Sequence, residues 1–108
     1  MYDNLIALLE ATGIPCAEGA WNRAPQTGSY IVYALDGQGD SLWGDDAQQQ
    51  QAILGSVDLF CRSVDRTHFN AVQNAMKASG VSWELYSIQR EPANRIIHYR
   101  WAFELEVL

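Results

Sequence analysis

A chain of 108 residues, nearly half of them apolar and 11% aromatic, is sized and composed for one folded domain with its own core, which excludes an intrinsically disordered segment. Its formal charge is −6, and its seven basic residues are one lysine, Lys77, and scattered arginines, a pattern that argues against gripping duplex DNA through its phosphates. No apolar run approaches the roughly 18 residues of a membrane-spanning helix, and the opening MYDNLIALLEATG lacks the basic region of a secretion signal. The expectation is a cytoplasmic protein. Cys16 and Cys61 have no CxxC spacing and no neighbouring histidine, so they read as reduced, packed thiols with no zinc and no other cofactor implied.

Leu5, Ile6, Leu8 and Leu9 fall at helical spacing, with Asp3 placed to cap the start, Gly13 to end the helix and Pro15 just beyond. Such a helix is only ~15 Å long and must dock its apolar stripe to be stable. PCAEGAW reads as a short edge strand, and NRAPQTG as a loop. SYIVYAL is rich in β-branched and aromatic residues and reads as a strand. Ile31, Tyr33 and Leu35 share one of its faces; Tyr30 and Val32 share the other.

A further strand is expected over AILGSVDLFCR. Ile53, Val57, Leu59 and Cys61 share one side, with Ser56, Asp58, Phe60 and Arg62 on the opposite one. Ser63 or Asp65 can cap the helix that follows, RTHFNAVQNAMKAS, which places Phe69, Val72, Ala75 and Met76 on one stripe and stops at Gly80. The last two strands, VSWELYSIQR and RIIHYRWAFELEVL, flank the turn EPAN and form a hairpin. In the final strand Ile97, Tyr99, Trp101, Phe103, Leu105 and Val107 alternate with His98, Arg100, Glu104 and Glu106. The order α-(β)-β-β-α-β-β predicts an α+β domain: an antiparallel sheet of four to five strands with two helices on one face.

Between the second and third strands lies GQGDSLWGDDAQQQQAILG. It is too polar to build a core and longer than an ordinary hairpin loop. Residues 37–52 therefore read as a projecting hairpin or loop. As a ribbon of about eight residues per leg it would reach roughly 25 Å, and a bare two-stranded ribbon needs a neighbouring subunit to order it. Trp43, near the tip, is the natural anchor for that contact.

No residue pattern carries catalysis. Asp36, Asp40, Asp45 and Asp46 do not match a calcium loop and read as solvated turn carboxylates. GQG is no phosphate cradle, since it lacks the wider glycine pattern and the helix that should follow. His68, in a first helical turn, and His98, on the polar side of a strand, have no local motif that sets a nucleophile against them. Asp58 and Arg62 share a strand face and suit an interface better than a substrate clamp. Glu84, Arg90, Arg100, Glu104 and Glu106 have the mixed signs of cross-strand pairing. The aromatic side of the last strand reads as core, because single-strand nucleic-acid platforms interleave more basic residues than Arg100 alone.

Six segments, in order, carry a resemblance that spans most of the chain. They are the helix closed by TGIPC, the stretch APQTGSYIVYALDG, LWGDD after a polar gap, VDLFCRSVD running into a helix, SGVSWEL, and HYRWAFELEV. Together they resemble small tail proteins of long-tailed bacteriophages and prophages, namely the minor tail, tail-completion or tail-terminator proteins of the head–tail junction. Where that pattern leads one to expect an aromatic before VDLF, Gly55 stands, and AQQQQ is more uniform than usual. The resemblance implies an α+β sandwich without catalytic activity that forms a ring, often a hexamer. Its partners would be a tail tube or head–tail connector, and its final location the virion tail. It also implies that a hairpin between the second and third strands interlocks subunits. On this reading Asp40, Leu42, Trp43, Asp45, Asp46, Gln49, Asp58 and Arg100 are the expected self-contacts. A ring of about six copies would carry about −36 charges, suiting a conduit that DNA passes without specific binding. Two other classes fit the same frame: a small-molecule-binding domain, which needs a pocket with convergent polar groups, and a regulatory adaptor with one exposed patch.

Overall fold

The computed structural model describes residues 2–19, 28–38, 51–61, 66–91 and 95–107. In chain order these form α1 (Tyr2–Glu10), β1 (Cys16–Glu18), β2 (Tyr30–Gln38), β3 (Gln51–Cys61), α2 (Thr67–Ser79), β4 (Ser82–Glu91) and β5 (Ile96–Val107). The class is α+β, as the alternation of patterns predicts. The five strands lie side by side in the order β1-β2-β3-β5-β4. β3 and β5 are central, and the chain's last strand slots between β3 and β4.

The sheet is mixed rather than wholly antiparallel. β2–β3, β3–β5 and β4–β5 pair antiparallel, but β1 runs parallel to β2. The Ile31 N–H donates to the Pro15 carbonyl, and the Gly19 N–H donates to the Tyr33 carbonyl, each at 2.8 Å. These two bonds bracket a strand of three residues and fix its direction. So short a strand has no alternation from which direction can be read.

Both helices pack on one face of the sheet. Leu5 and Leu9 of α1 and Val72, Ala75 and Met76 of α2 share a core with Ile31, Val57, Leu59, Tyr99, Trp101 and Phe103. Trp101 is fully buried at the centre. Its indole N–H donates to Gln73 Oε1 at 3.2 Å, so the ring is buried without stranding its one polar atom. The Phe69 ring lies 4.7 Å from Tyr99 and 5.5 Å from Trp101, while Tyr2 spans Tyr33 and Phe103 at 6.2 and 6.1 Å.

The helix ends differ from expectation at their starts. α1 begins at Tyr2, so Asp3 sits inside the first turn, where its charge faces the positive end of the helix dipole. α2 begins at Thr67 with Arg66 in the cap position and no side-chain capping bond, while Ser63 and Asp65 lie outside the described residues. Gly80 ends α2 at φ +84° as anticipated. Beside it, buried Ser79 donates to the Met76 carbonyl at 2.7 Å and accepts from the Val81 N–H at 3.3 Å.

Gly55 has a steric reason. A Cβ there would enter the Phe103 ring and lie 2.8 Å from the Ala34 carbonyl oxygen. Gly55 and Phe103 are direct cross-strand partners. Phe103 of β5 fills this level of the inner face, and glycine makes room for it. Leu35, opposite Gly55 on β2, shares a face with Ile31 and Tyr33 in the strand alternation, yet it is 41% exposed while they are buried. The buried cluster on β2 stops at Tyr33, and a register irregularity follows between Leu35 and Gly37.

The ends of the 37–52 stretch belong to the sheet. Gly37 and Gln38 pair with Leu54 and Ile53, and Gln51 and Ala52 pair with Val107 and Glu106. At the level of Gln38 and Ile53 the sheet is three strands wide, through β2, β3 and β5. Asp40, Leu42, Trp43, Asp45, Asp46 and Gln49 lie outside the described residues.

Candidate functional site on the helix-free face of the sheet

Because side chains alternate along a strand, the even-numbered residues of β3 and β5 point away from the helices. Registration assembles them into rows that cross the sheet. Tyr30, Phe60, His98 and Gln89 lie at one level. Val32, Asp58, Arg100 and Ser87 form the next, and Ala34, Ser56, Ala102 and Glu84 the third. The rows are respectively aromatic, charged and small. Among the described residues no helix covers them.

The aromatic row is a continuous stack. Phe60 lies 4.8 Å from Tyr30 at 15° and 4.2 Å from the His98 ring at 18°. Each such contact is worth about 0.5–1.5 kcal/mol beyond its buried area. Three rings held near parallel make a stacked ledge on a face that no helix covers among the described residues.

The charged row is built around Asp58, whose side chain is 13% exposed. Asp58 Oδ1 lies 2.7 Å from His98 Nε2 and 3.8 Å from Arg100 Nε. Arg100 Nη2 also reaches Asp36 Oδ2 at 3.8 Å. One carboxylate thus orients two side chains on the neighbouring strand, and the guanidinium spans from β3 to β2. His98 is held twice, by the stack and by the carboxylate. The largely covered Asp58 carboxylate thus has one close ring-nitrogen partner and one longer guanidinium contact on this face.

Of the residues expected to act as self-contacts, the structure brings Asp58 and Arg100 together as direct cross-strand partners. Arg62, the neighbour assigned to Asp58 from spacing, lies outside the described residues. His98, Phe60 and Asp36, which were not among the expected self-contacts, join the site. Only the registration of β2, β3 and β5 could have identified them, since Phe60 and His98 are far apart in sequence.

The remaining reactive groups are separate from this face. His68 Nδ1 lies 2.8 Å from Ser29 Oγ at an exposed position, tying the start of β2 to the first turn of α2. The Tyr2 phenol donates to Glu18 Oε2 at 3.2 Å, and burial together with that carboxylate pushes its pKa up to about 12. Burial, then Glu10, raises the Cys16 thiol above its ordinary value, which disfavours the reactive thiolate. Among the described residues no three His, Cys, Asp or Glu side chains gather as metal ligands, and no helix is long and apolar enough to cross a membrane. A hollow of about 290 Å³ opens beside Leu54, Ser82, Trp83, Glu84, Phe103 and Glu104, with apolar walls and a carboxylate from each of β4 and β5.

No protein-family model matches the chain, and no curated protein matches its sequence.

Proposed function

We propose that the chain is a structural tail protein of a bacteriophage or prophage: a ring-forming terminator or tail-completion factor at the head–tail junction. The observation that carries this reading is the helix-free sheet face, with its preformed ring ledge and the Asp58–His98–Arg100 network, beside the three-stranded base from which residues 39–50 depart. One side of the sheet builds the domain and the other is finished as a contact surface. The resemblance across six segments supplies the context. In this reading the ledge and the arm contact the adjacent subunit, the acidic surface faces a DNA conduit, and the ring seats on a tail tube or connector.

The test is to co-express the chain with its tail-tube protein and image the tubes by negative stain. Rings capping the tube ends support the reading; bare tubes with the chain left in solution reject it. The hollow beside Trp83 favours a second reading, a small-molecule-binding domain. A ligand that copurifies, or that raises the melting temperature strongly, would support that instead.

A further inference from the structure

The row of small residues on the helix-free face opens at its β4 end into a hollow, and the rim of that hollow carries two charges that the fold does not balance. Leu54 of β3, Ser82 and Glu84 of β4, and Ala102 and Glu104 of β5 share this face, because Trp83 and Phe103 between them turn toward the core. Together they enclose about 290 Å³. The floor is low because Ala102 and its partner on β3, Ser56, are both small. Leu54, 42% exposed, is an apolar wall. Glu84 pairs across with Ala102 and Glu104 with Ser82, so the two carboxylates meet on a diagonal. Such diagonal neighbours lie about 7–8 Å apart. The mixed signs of this hairpin predict ion pairs here, yet neither glutamate has a cationic partner among the described residues. Arg100, on the same face, is committed to Asp58 and Asp36 on its other side. Ser56 adds a second unmet group. It is 4% exposed, it points to the same face as Ala102, and no hydrogen bond engages its hydroxyl among the described residues. A buried hydroxyl left without a partner is uncommon and costly.

We propose that this hollow binds a small organic cation, a guanidinium on a short apolar stem. The assignment rests on the small-molecule reading of the hollow given above and is independent of ring assembly. Size limits the guest first. About 290 Å³ is at the low end of ligand cavities, which run roughly 300–1,000 Å³, and suits a stem of a few carbons. Charge comes next: two unpaired carboxylates across one hollow call for a positive guest. A bare calcium ion is poorly served, since it takes roughly six to eight oxygens and this hollow is walled largely by carbon. A guanidinium is planar and weakly hydrated, and its donors lie on more than one edge, so it can serve both carboxylates at once. An ammonium is more compact and holds its water more tightly. With the stem along Leu54, an N–H passing over Ala102 finds the Ser56 hydroxyl as an acceptor. One guest thereby answers both the unbalanced charges and the unsatisfied hydroxyl.

The experiment titrates the isotope-labelled chain with butylguanidinium at fixed ionic strength, and separately with butylurea, its uncharged counterpart of near-equal shape, and follows amide chemical shifts by NMR. Butylguanidinium should move the amides of Leu54, Ser82, Glu84, Ala102 and Glu104 along one saturable curve, with a Kd of about 1–10 mM. Butylurea should bind at least about 10-fold more weakly. Glu84→Gln combined with Glu104→Gln should weaken butylguanidinium by about 10-fold or more, with the rest of the spectrum unchanged because both side chains are exposed. Ala102→Leu should abolish binding by filling the floor. Ser56→Ala should weaken it by about 3-fold without loss of stability, because its hydroxyl gives up no bond on folding. Equal binding of the two probes, or a glutamine double variant that binds as the wild type does, overturns the cation assignment. If Ala102→Leu still removes that binding, the small-molecule reading of the hollow survives the loss. No saturable shift at these amides with either probe overturns both.

Discussion

The two faces of the sheet are made by the same strands and do different work. On β5, Tyr99, Trp101 and Phe103 point into the helices and are buried, while His98, Arg100 and Ala102 alternate with them on the other side and are only partly covered. The inner face is held by area: rings and aliphatic groups removed from water against α1 and α2. The outer face is held by specific pairwise geometry, a ring stack and a shared carboxylate, with no helical layer above it among the described residues. Stability should therefore concentrate on one face and assembly on the other.

The largest expected effect lies on the inner face. Trp101→Ala should cost about 3–5 kcal/mol in urea denaturation, enough to leave the domain marginal or unfolded, because it empties a fully enclosed site. Next, Gly55→Ala should cost about 1–3 kcal/mol by driving a methyl into the Phe103 ring. Adding Phe103→Leu should recover part of that loss, and a strictly additive double variant would mean the clash is not the cause. On the outer face Phe60→Ala, which removes both stacking contacts, should cost about 1–3 kcal/mol while abolishing ring assembly. Equal losses for Trp101→Ala and Phe60→Ala would erase the distinction between the faces.

Smaller effects sharpen it further. A double-mutant cycle between Asp58 and His98 should give a coupling of about 0.5–1 kcal/mol, reduced but not removed by salt because Asp58 is largely covered. The smallest concerns Tyr2. Its folded pKa is raised from 10.0 to about 12, so the fold favours the protonated phenol. That contribution is complete below pH 10 and is lost as pH rises through about 12. Tyr2→Phe should flatten the loss of stability across that window, read from denaturation midpoints at a series of pH values.

Much of the inner face was legible from sequence for the same physical reason that it is stable. A buried strand beside helices demands period-two alternation, and β5 shows it without interruption. The stripe of α2 and its stop at Gly80 followed from helical spacing and the backbone freedom of glycine. The outer face was legible only residue by residue. Asp58 and Arg100 stood out as charged strand residues, but their partnership depends on registration, which no local pattern encodes. The same holds for the Tyr30–Phe60–His98 stack and for Gly55, whose role is to receive a side chain from β5. The direction of β1 was misread because three residues cannot show it, and the exposure of Leu35 was not legible because alternation alone does not say where the helical layer stops.

The most direct test of the division between the faces is the absolute mass of the wild type and of Phe60→Glu, by light scattering across a concentration series, with and without a tail-tube protein. The account predicts a ring-sized wild type, and a Phe60→Glu variant that keeps its fold but falls to one or two copies. A wild type that stays monomeric even with the tube protein present, or a variant whose mass is unchanged, would contradict it.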